Sequence, residues 1–169
     1  FLGSLDWEPN IEGITWFINK VWPKIISKRP STILHVAGRK NPNWLKKMES
    51  INIKIIGEVN NAHKFIQSKN VIISPLFSGS GIRVKLIEAM FLKKAIVSTS
   101  LSARGINITH KKEILIADNE DNFADCVISC IENNKLNLDL GNNAFNFAKK
   151  TYDRLTVAKK FTTFYKSII

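Results

Sequence analysis

The chain has only two cysteines in 169 residues, Cys126 and Cys130, and no Cys or His cluster stands near them, so a zinc site has nothing to draw on. Their spacing of four puts them on one helical face with Phe123, Val127 and Ile131, which assigns them to packing, because a disulfide within a regular helix has poor geometry. No stretch approaches the ~20 apolar residues that span a bilayer, and Phe1-Leu2-Gly3 lacks the charged lead of a secretory signal. A soluble domain facing the cytosol is expected. Position 1 is not an initiating Met but the start of an apolar, strand-like tripeptide, as expected for a piece of a longer protein. Internal repeats, low-complexity tracts and Pro/Gly-rich linkers are absent, so one domain over residues 1–169 is expected.

Acidic residues are also scarce, 14 against 25 Lys and Arg, leaving a formal charge of +11. That balance favours anionic partners as a class: nucleic acid, an anionic membrane surface or a phosphorylated small ligand. The lysines are dispersed, in pairs such as Lys46-Lys47, Lys111-Lys112, Lys149-Lys150 and Lys159-Lys160, and read mostly as solvated helix faces. Trp7, Trp16, Trp22 and Trp44 have no regular stacking interval and read as packing residues, not nucleic-acid platforms.

What the chain does have is 44% apolar residues, enough for a real core, arranged in alternating strand and helix patterns. Phe1 to Gly3 ends a strand, and Ile11 to Ile26 is helical, with Ile14, Phe17, Ile18, Val21 and Trp22 on one stripe. Strands follow at Ser31–Ala37, Ile53–Ile56, Val71–Ile73, Ala95–Thr99 and Ile114–Ala117. Short helices are expected at Pro42–Met48 and Ala62–Gln67, longer ones at Ile82–Leu92, Asp121–Glu132, Asp139–Lys150 and Leu155–Ile168. This spacing predicts an α/β fold, a Rossmann-like doubly wound parallel sheet of about six strands with helices on both faces. Ligands of such sheets bind outside the carboxyl ends of the strands, here the loops opening at Gly3, Gly38, Gly57, Pro75 and Ser100.

The segment SPLFSGSGIRVKLIEAM, Ser74 to Met90, carries the most chemistry. Gly79 and Gly81 let a ligand approach the main chain, and the first turn of the following helix offers unpaired amides to negative charge. Arg83 and Lys85 add two cations, while Val84, Leu86, Ile87, Met90 and Phe91 form the apolar stripe. Glu88, one turn inside the helix, is a carboxylate able to accept both hydroxyls of a ribose. A nucleoside diphosphate fits this set; a solvated turn with a weak Lys85–Glu88 surface pair is the plainer alternative.

The order FLGSLDWEPNIEG, HVAGRKNP, IIGEV, SPLFSGSGIRVKLIEAM, KKAIVSTSLSARGI and EILIADNEDNFADCV resembles the C-terminal, donor-binding half of GT-B fold glycosyltransferases, specifically the retaining enzymes of family 4. The resemblance covers nearly the whole chain and implies a hexosyl-type transferase that builds polysaccharide or glycolipid from a nucleotide sugar, UDP- or GDP-linked, without a bound metal or other cofactor. It implies that Gly3 and Ser4 lie by the phosphates. Ser78, Gly79, Ser80, Gly81 and Ile82 would contact diphosphate and sugar, joined by Arg83 and Lys85. Glu88 would hold the ribose, and Gly57, Glu58 and Val59, with Arg39, would border the base. Two departures from the family pattern stand out. Many members carry a glutamate on the Gly-rich loop where this chain has Ser80, or Ser78 if the glycines are aligned, and an Arg and a Lys in the first loop where it reads Gly3-Ser4-Leu5-Asp6-Trp7-Glu8-Pro9-Asn10. Arg83 and Lys85 are therefore expected to replace the first-loop clamp from the opposite side of the pocket.

The resemblance leaves the catalytic residues unknown and implies a missing N-terminal acceptor domain, without which this half binds donor but transfers sugar poorly. A peripheral position at an anionic inner membrane face would suit the charge, and no specific nucleic acid is expected. The alternative reading is a non-enzymatic nucleotide- or nucleic-acid-binding α/β module using the same lysines and loop. His35, inside a strand, reads as a packed histidine, and Arg104, after the fifth expected strand, stands in a loop that could face the donor sugar.

Overall fold

A computed structural model describes residues 1–168; Ile169, the last residue of the expected domain, and the side chain of Lys160 lie outside the described residues. Five parallel strands form two hydrogen-bonded groups: β1 (Leu34–Ala37) with β2 (Ile53–Gly57), and β3 (Val71–Ser74), β4 (Ala95–Ser98) and β5 (Leu115–Ile116) in that order. The Phe1–Gly3 segment pairs with β1 as expected, through Ala37 N–H to Phe1 O and Gly3 N–H to Ala37 O, both 3.0 Å. Strand periodicity of two then divides the side chains between two layers. Ile73, Ala95, Val97 and Leu115 face one core, with Phe17, Val21, Ile25, Phe123 and Val127; Ile72 and Ile96 face the other, with Leu86, Met90, Ala144 and Ala148. Helices therefore cover both faces, the doubly wound arrangement.

The first layer is built by α1 (Glu8–Trp16), a π-helical turn (Phe17–Val21), α2 (Trp22–Lys28) and α7 (Glu120–Glu132). Pro23 has no N–H to continue the α-helical ladder, and the chain accommodates it by widening one turn, so that Trp22 N–H bonds Phe17 O. The expected helix over 11–26 thus starts three residues earlier and carries a bulge. Lys24 and Lys28 on α2, and Arg29 at its C-cap, pair with Asp121, Asp125 and Glu132 on α7 at 2.6, 2.9 and 2.5 Å. These basic residues stitch two helices together through exposed pairs that solvent largely screens.

The second layer holds α4 (Ala62–Gln67), α5 (Val84–Phe91) and α8 (Asn134–Tyr152), with α3 (Asn43–Lys46), α6 (Ser100–Ala103) and α9 (Arg154–Lys166) completing the described helices. α8 begins five residues before the expected start, because Asn133 caps it by accepting from Leu136 N–H. Cys126 and Cys130 lie on the inner side of α7, and burial pushes the Cys130 thiol up to about 12, as a packing role requires. No helix among the described residues is long and apolar enough to cross a membrane.

Candidate functional site

The loops after Gly3, Gly38, Gly57, Ser74 and Ser98 all leave the same edge of the parallel strands. On one side of that edge the first loop and the β1 loop are fastened together. Gly38 has no room for a side chain, since a Cβ there would stand 1.8 Å from Gly3 O. Ser4 Oγ donates to Asp6 Oδ1 at 2.5 Å and accepts from Arg39 Nε at 2.8 Å, while Lys40 pairs with Asp6 at 2.7 Å. The Lys40 ammonium and then the Ser4 hydroxyl hold the Asp6 carboxyl at about 2. A register shift between Val36 and Ala37 sets Ala37 opposite Gly57, and Gly38 N–H donates to Gly57 O at 2.8 Å. Gly3, Ser4, Arg39 and Gly57, assigned by sequence to phosphate and base, are therefore neighbours. Glu58 is exposed and Val59 half-buried just beyond them.

Across the edge, Arg83 and Lys85 take opposite directions. Arg83 caps α5 and is buried; its guanidinium donates to Ser80 O and Gly81 O and lies over the Trp7 ring, 5.4 Å from the centroid. Gly79, at φ +96°, lets the Trp7 indole close on the same turn, because a Cβ there would meet the ring at 2.9 Å. Ser78 is drawn the other way, its hydroxyl donating to Glu12 Oε2 on α1 at 2.6 Å. Arg83 thus shapes the glycine loop from within, and Ser80, Gly81 and Ile82 form its exposed crest.

Lys85 reaches back to the first turn of α1. Its ammonium donates to Asn10 Oδ1 at 2.9 Å and lies 5.0 Å from the Phe1 ring centroid, while Asn10 Nδ2 donates to Ser4 O at 2.8 Å. Burial, and then the neighbouring Arg83, hold Lys85 down at about 8. Asn10, buried in the first turn of α1, was missed by sequence reasoning; the signal for it is a lone amide at the end of the Gly3–Asn10 segment, where the family's cations are lacking. Glu88, half-buried and one turn farther along α5, makes no hydrogen bond or ion pair among the described residues, so the Lys85–Glu88 surface pair of the plainer alternative does not form. Val84, placed by periodicity on the apolar stripe, is 62% exposed because the first turn of α5 projects past the sheet.

Buried hydroxyls anchor the base of the glycine loop. Thr99 Oγ1 donates to Leu76 O and accepts from Ser102 N–H, and the Ser74 and Ser102 hydroxyls are 2.6 Å apart. Sequence reasoning missed α6, a helix of four residues, and with it these contacts, which bring Leu101, Arg104 and Gly105 opposite Gly79–Arg83 around a cleft of about 250 Å³. A larger cavity, about 470 Å³, lies at the opposite end of the strands between β1 and β3, beside Phe1, His35 and Val71. It is a gap in the strand layer, away from the loops, and His35 lines it with a pKa lowered by burial and then by Lys69, as befits a packed histidine.

Residues 1–133 match the model of the family described as Glycosyl transferases group 1. A 44.6 kDa protein of the cps region of Klebsiella pneumoniae is 30% identical over 175 residues, an alignment covering 98% of this chain and 44% of that protein. The chain therefore spans less than half the length of this curated relative. The solved C-terminal domain of a glycosyl transferase group 1 family protein (LpcC) from Francisella tularensis superposes with a TM-score of 0.71 at 18% identity, covering 84% of this chain and 80% of that one. A TarM variant from S. aureus, solved with fondaparinux, alpha-GlcNAc-glycerol and UDP, gives 0.81 at 16% identity over 96% of this chain and 34% of its own.

Proposed function

The chain belongs to the group 1 glycosyl transferases, and from that premise we propose that its strand-end loops bind the nucleotide-sugar donor for retaining transfer of a hexosyl unit to a polysaccharide or glycolipid acceptor. The observation that carries this reading is the Lys85–Asn10 contact, which holds a desolvated ammonium on an α1 residue that itself bonds Ser4 O of the first loop. Cleavage of the sugar–phosphate bond leaves negative charge on the departing diphosphate, and a preoriented cation in a dry site stabilises that charge more than water does. Lys85 performs this task, with exposed amides of the Ser78–Ile82 crest, in place of a metal ion. Arg83 contributes indirectly, by fixing the crest's shape through the Ser80 and Gly81 carbonyls. Glu88, with no side-chain partner among the described residues, takes the ribose hydroxyls, and Gly57–Val59 with Arg39 border a uracil or guanine.

Residues 1–169 form the C-terminal, donor-binding domain of a two-domain enzyme. The acceptor site and the catalytic groups belong to the remainder of the protein, and this domain alone binds donor without efficient turnover. Its net charge of +11 suits a peripheral position at an anionic inner membrane face. A thermal-shift screen of UDP- and GDP-sugars tests the assignment, because a ligand that binds only the folded state raises its melting temperature with the logarithm of its concentration above Kd. One nucleotide series raising the melting temperature supports it; equal, salt-sensitive shifts with any polyanion would instead support a general nucleic-acid or polyanion binder.

A further inference from the structure

The cleft between the glycine loop and the β4–α6 turn differs from the rest of the strand edge in how its cation is used. Arg39 bonds Ser4, Lys40 pairs with Asp6, Arg83 holds two loop carbonyls and Lys85 holds Asn10. Arg104, exposed at the rim of the cleft, has no side-chain hydrogen bond or ion pair among the described residues. Its place is fixed from beneath: Thr99 and Ser102 anchor α6 to the start of the glycine loop, and Gly105, at φ +82°, admits Ile82, whose Cγ1 would stand 3.3 Å from any Cβ there. The cation is free, but the backbone that carries it is not.

The lining, Gly79–Arg83, Leu101, Arg104 and Gly105, contains no Asp, Glu, Asn or Gln, and its one hydroxyl is Ser80. Sugar hydroxyls need acceptors as well as donors, and side chains here supply mainly a guanidinium with donors alone. Gly81, at φ +82° with open space within 4 Å of where a Cβ would be, exposes the main chain to the same cleft. Glu12, on α1, is engaged by Ser78 and is not part of the lining. At about 250 Å³ the space falls below the ~300–1,000 Å³ of sites that enclose a whole drug-sized ligand, which limits it to about one sugar ring.

We propose that this cleft is a subsite for an acidic sugar, and that Arg104 pairs with the carboxylate of a hexuronate on the donor. The inference rests on the donor-binding reading above and deepens it, since the Ser80–Ile82 crest that lines the cleft is also the one assigned to the diphosphate, to which the donor sugar is bonded. A guanidinium binds a carboxylate through two parallel hydrogen bonds, whereas a lysine offers a point charge, so the pairing is sensitive to the identity of the cation.

Calorimetric titration of the full-length protein with UDP, UDP-glucose and UDP-glucuronate, and with GDP, GDP-mannose and GDP-mannuronate, tests it. In the series whose nucleoside diphosphate binds, the uronate is expected to bind about tenfold tighter than the neutral sugar, the scale of one partly solvated charge-assisted pair. Arg104→Ala is expected to abolish that preference and leave affinity for the bare diphosphate as it was; Arg104→Lys is expected to restore only part of it. Diphosphate binding with no uronate preference, or a preference that survives Arg104→Ala, would overturn the subsite and leave the donor-binding reading standing. Failure of both diphosphates to bind would overturn both.

Discussion

The Lys85 ammonium stands 2.9 Å from Asn10 Oδ1, joining α5 to the first turn of α1 across 75 residues of sequence. Asn10 in turn donates to Ser4 O, so one buried amide fixes both the lysine and the loop that faces it. Replacing it with alanine leaves a partly buried ammonium and a carbonyl without partners. We predict that Asn10→Ala destabilises the fold by about 1–3 kcal/mol in urea denaturation, the scale for an orphaned buried polar group, and weakens nucleoside diphosphate binding as Lys85 loses its position. Asn10→Asp would pair with the ammonium instead, raising the Lys85 pKa from about 8 while weakening diphosphate binding through added negative charge.

The pH dependence of binding follows from Lys85. A diphosphate beside it favours the charged form, so its pKa rises on binding and the complex takes up protons above about 8. Affinity is then full below that value and falls as pH rises through it, by up to one decade per pH unit. Terminal phosphate ionisation near ~6 sets the lower limit. Calorimetry from pH 5.5 to 9.5 should show strongest binding between about 6 and 8, and Lys85→Met should remove the alkaline decline.

Glu88 separates ribose from phosphate recognition. Glu88→Gln is expected to weaken UDP or GDP binding about tenfold, since a neutral amide replaces a charge-assisted acceptor, while inorganic pyrophosphate binds as before. Equal losses for both ligands would show that the residue acts on the shape of α5 rather than on the nucleoside.

Two glycines offer a contrast in backbone constraint. A Cβ at Gly13 would stand 1.8 Å from Pro75 O, so Gly13→Ala must push α1 away from the strand end that launches the glycine loop. A loss of about 2–4 kcal/mol is expected, as for an overpacked core. At Gly57 nothing lies within 4 Å, and the cost of alanine is only that of its positive φ, about 1–2 kcal/mol. Thermal denaturation of both variants checks the order.

The strand pattern and the Ser74–Met90 segment were readable because both depend on local periodicity: apolar runs marked β3 and β4, and paired glycines marked the loop after β3. Contacts that cross the chain were not. Asn10 gains its role only from Lys85, 75 positions away, and the Ser74–Ser102 and Thr99–Leu76 bonds need the β3 and β4 ends side by side. Arg83 and Lys85 are two apart and read as one cationic pair, yet the nonhelical backbone at Arg83 turns one side chain onto the glycine loop and the other onto the first turn of α1. The π-helical turn escaped notice because Pro23 was absorbed into an otherwise helical stripe.

The central claim is that Lys85 supplies the charge that holds the donor diphosphate, and titration of UDP and GDP into the full-length protein and its Lys85→Met variant tests it most directly. The lowered pKa of Lys85 means that the unfolded chain binds its proton more tightly, so its charge costs stability below about 8 and the cost is relieved between there and 10.5. Lys85→Met removes that cost but leaves the buried Asn10 Oδ1 without its donor, so thermal denaturation at pH 7 establishes that the variant is folded before affinities are compared. The account predicts saturable binding of one nucleotide, weakened ten- to a hundredfold by Lys85→Met; affinity unchanged in the folded variant would contradict it.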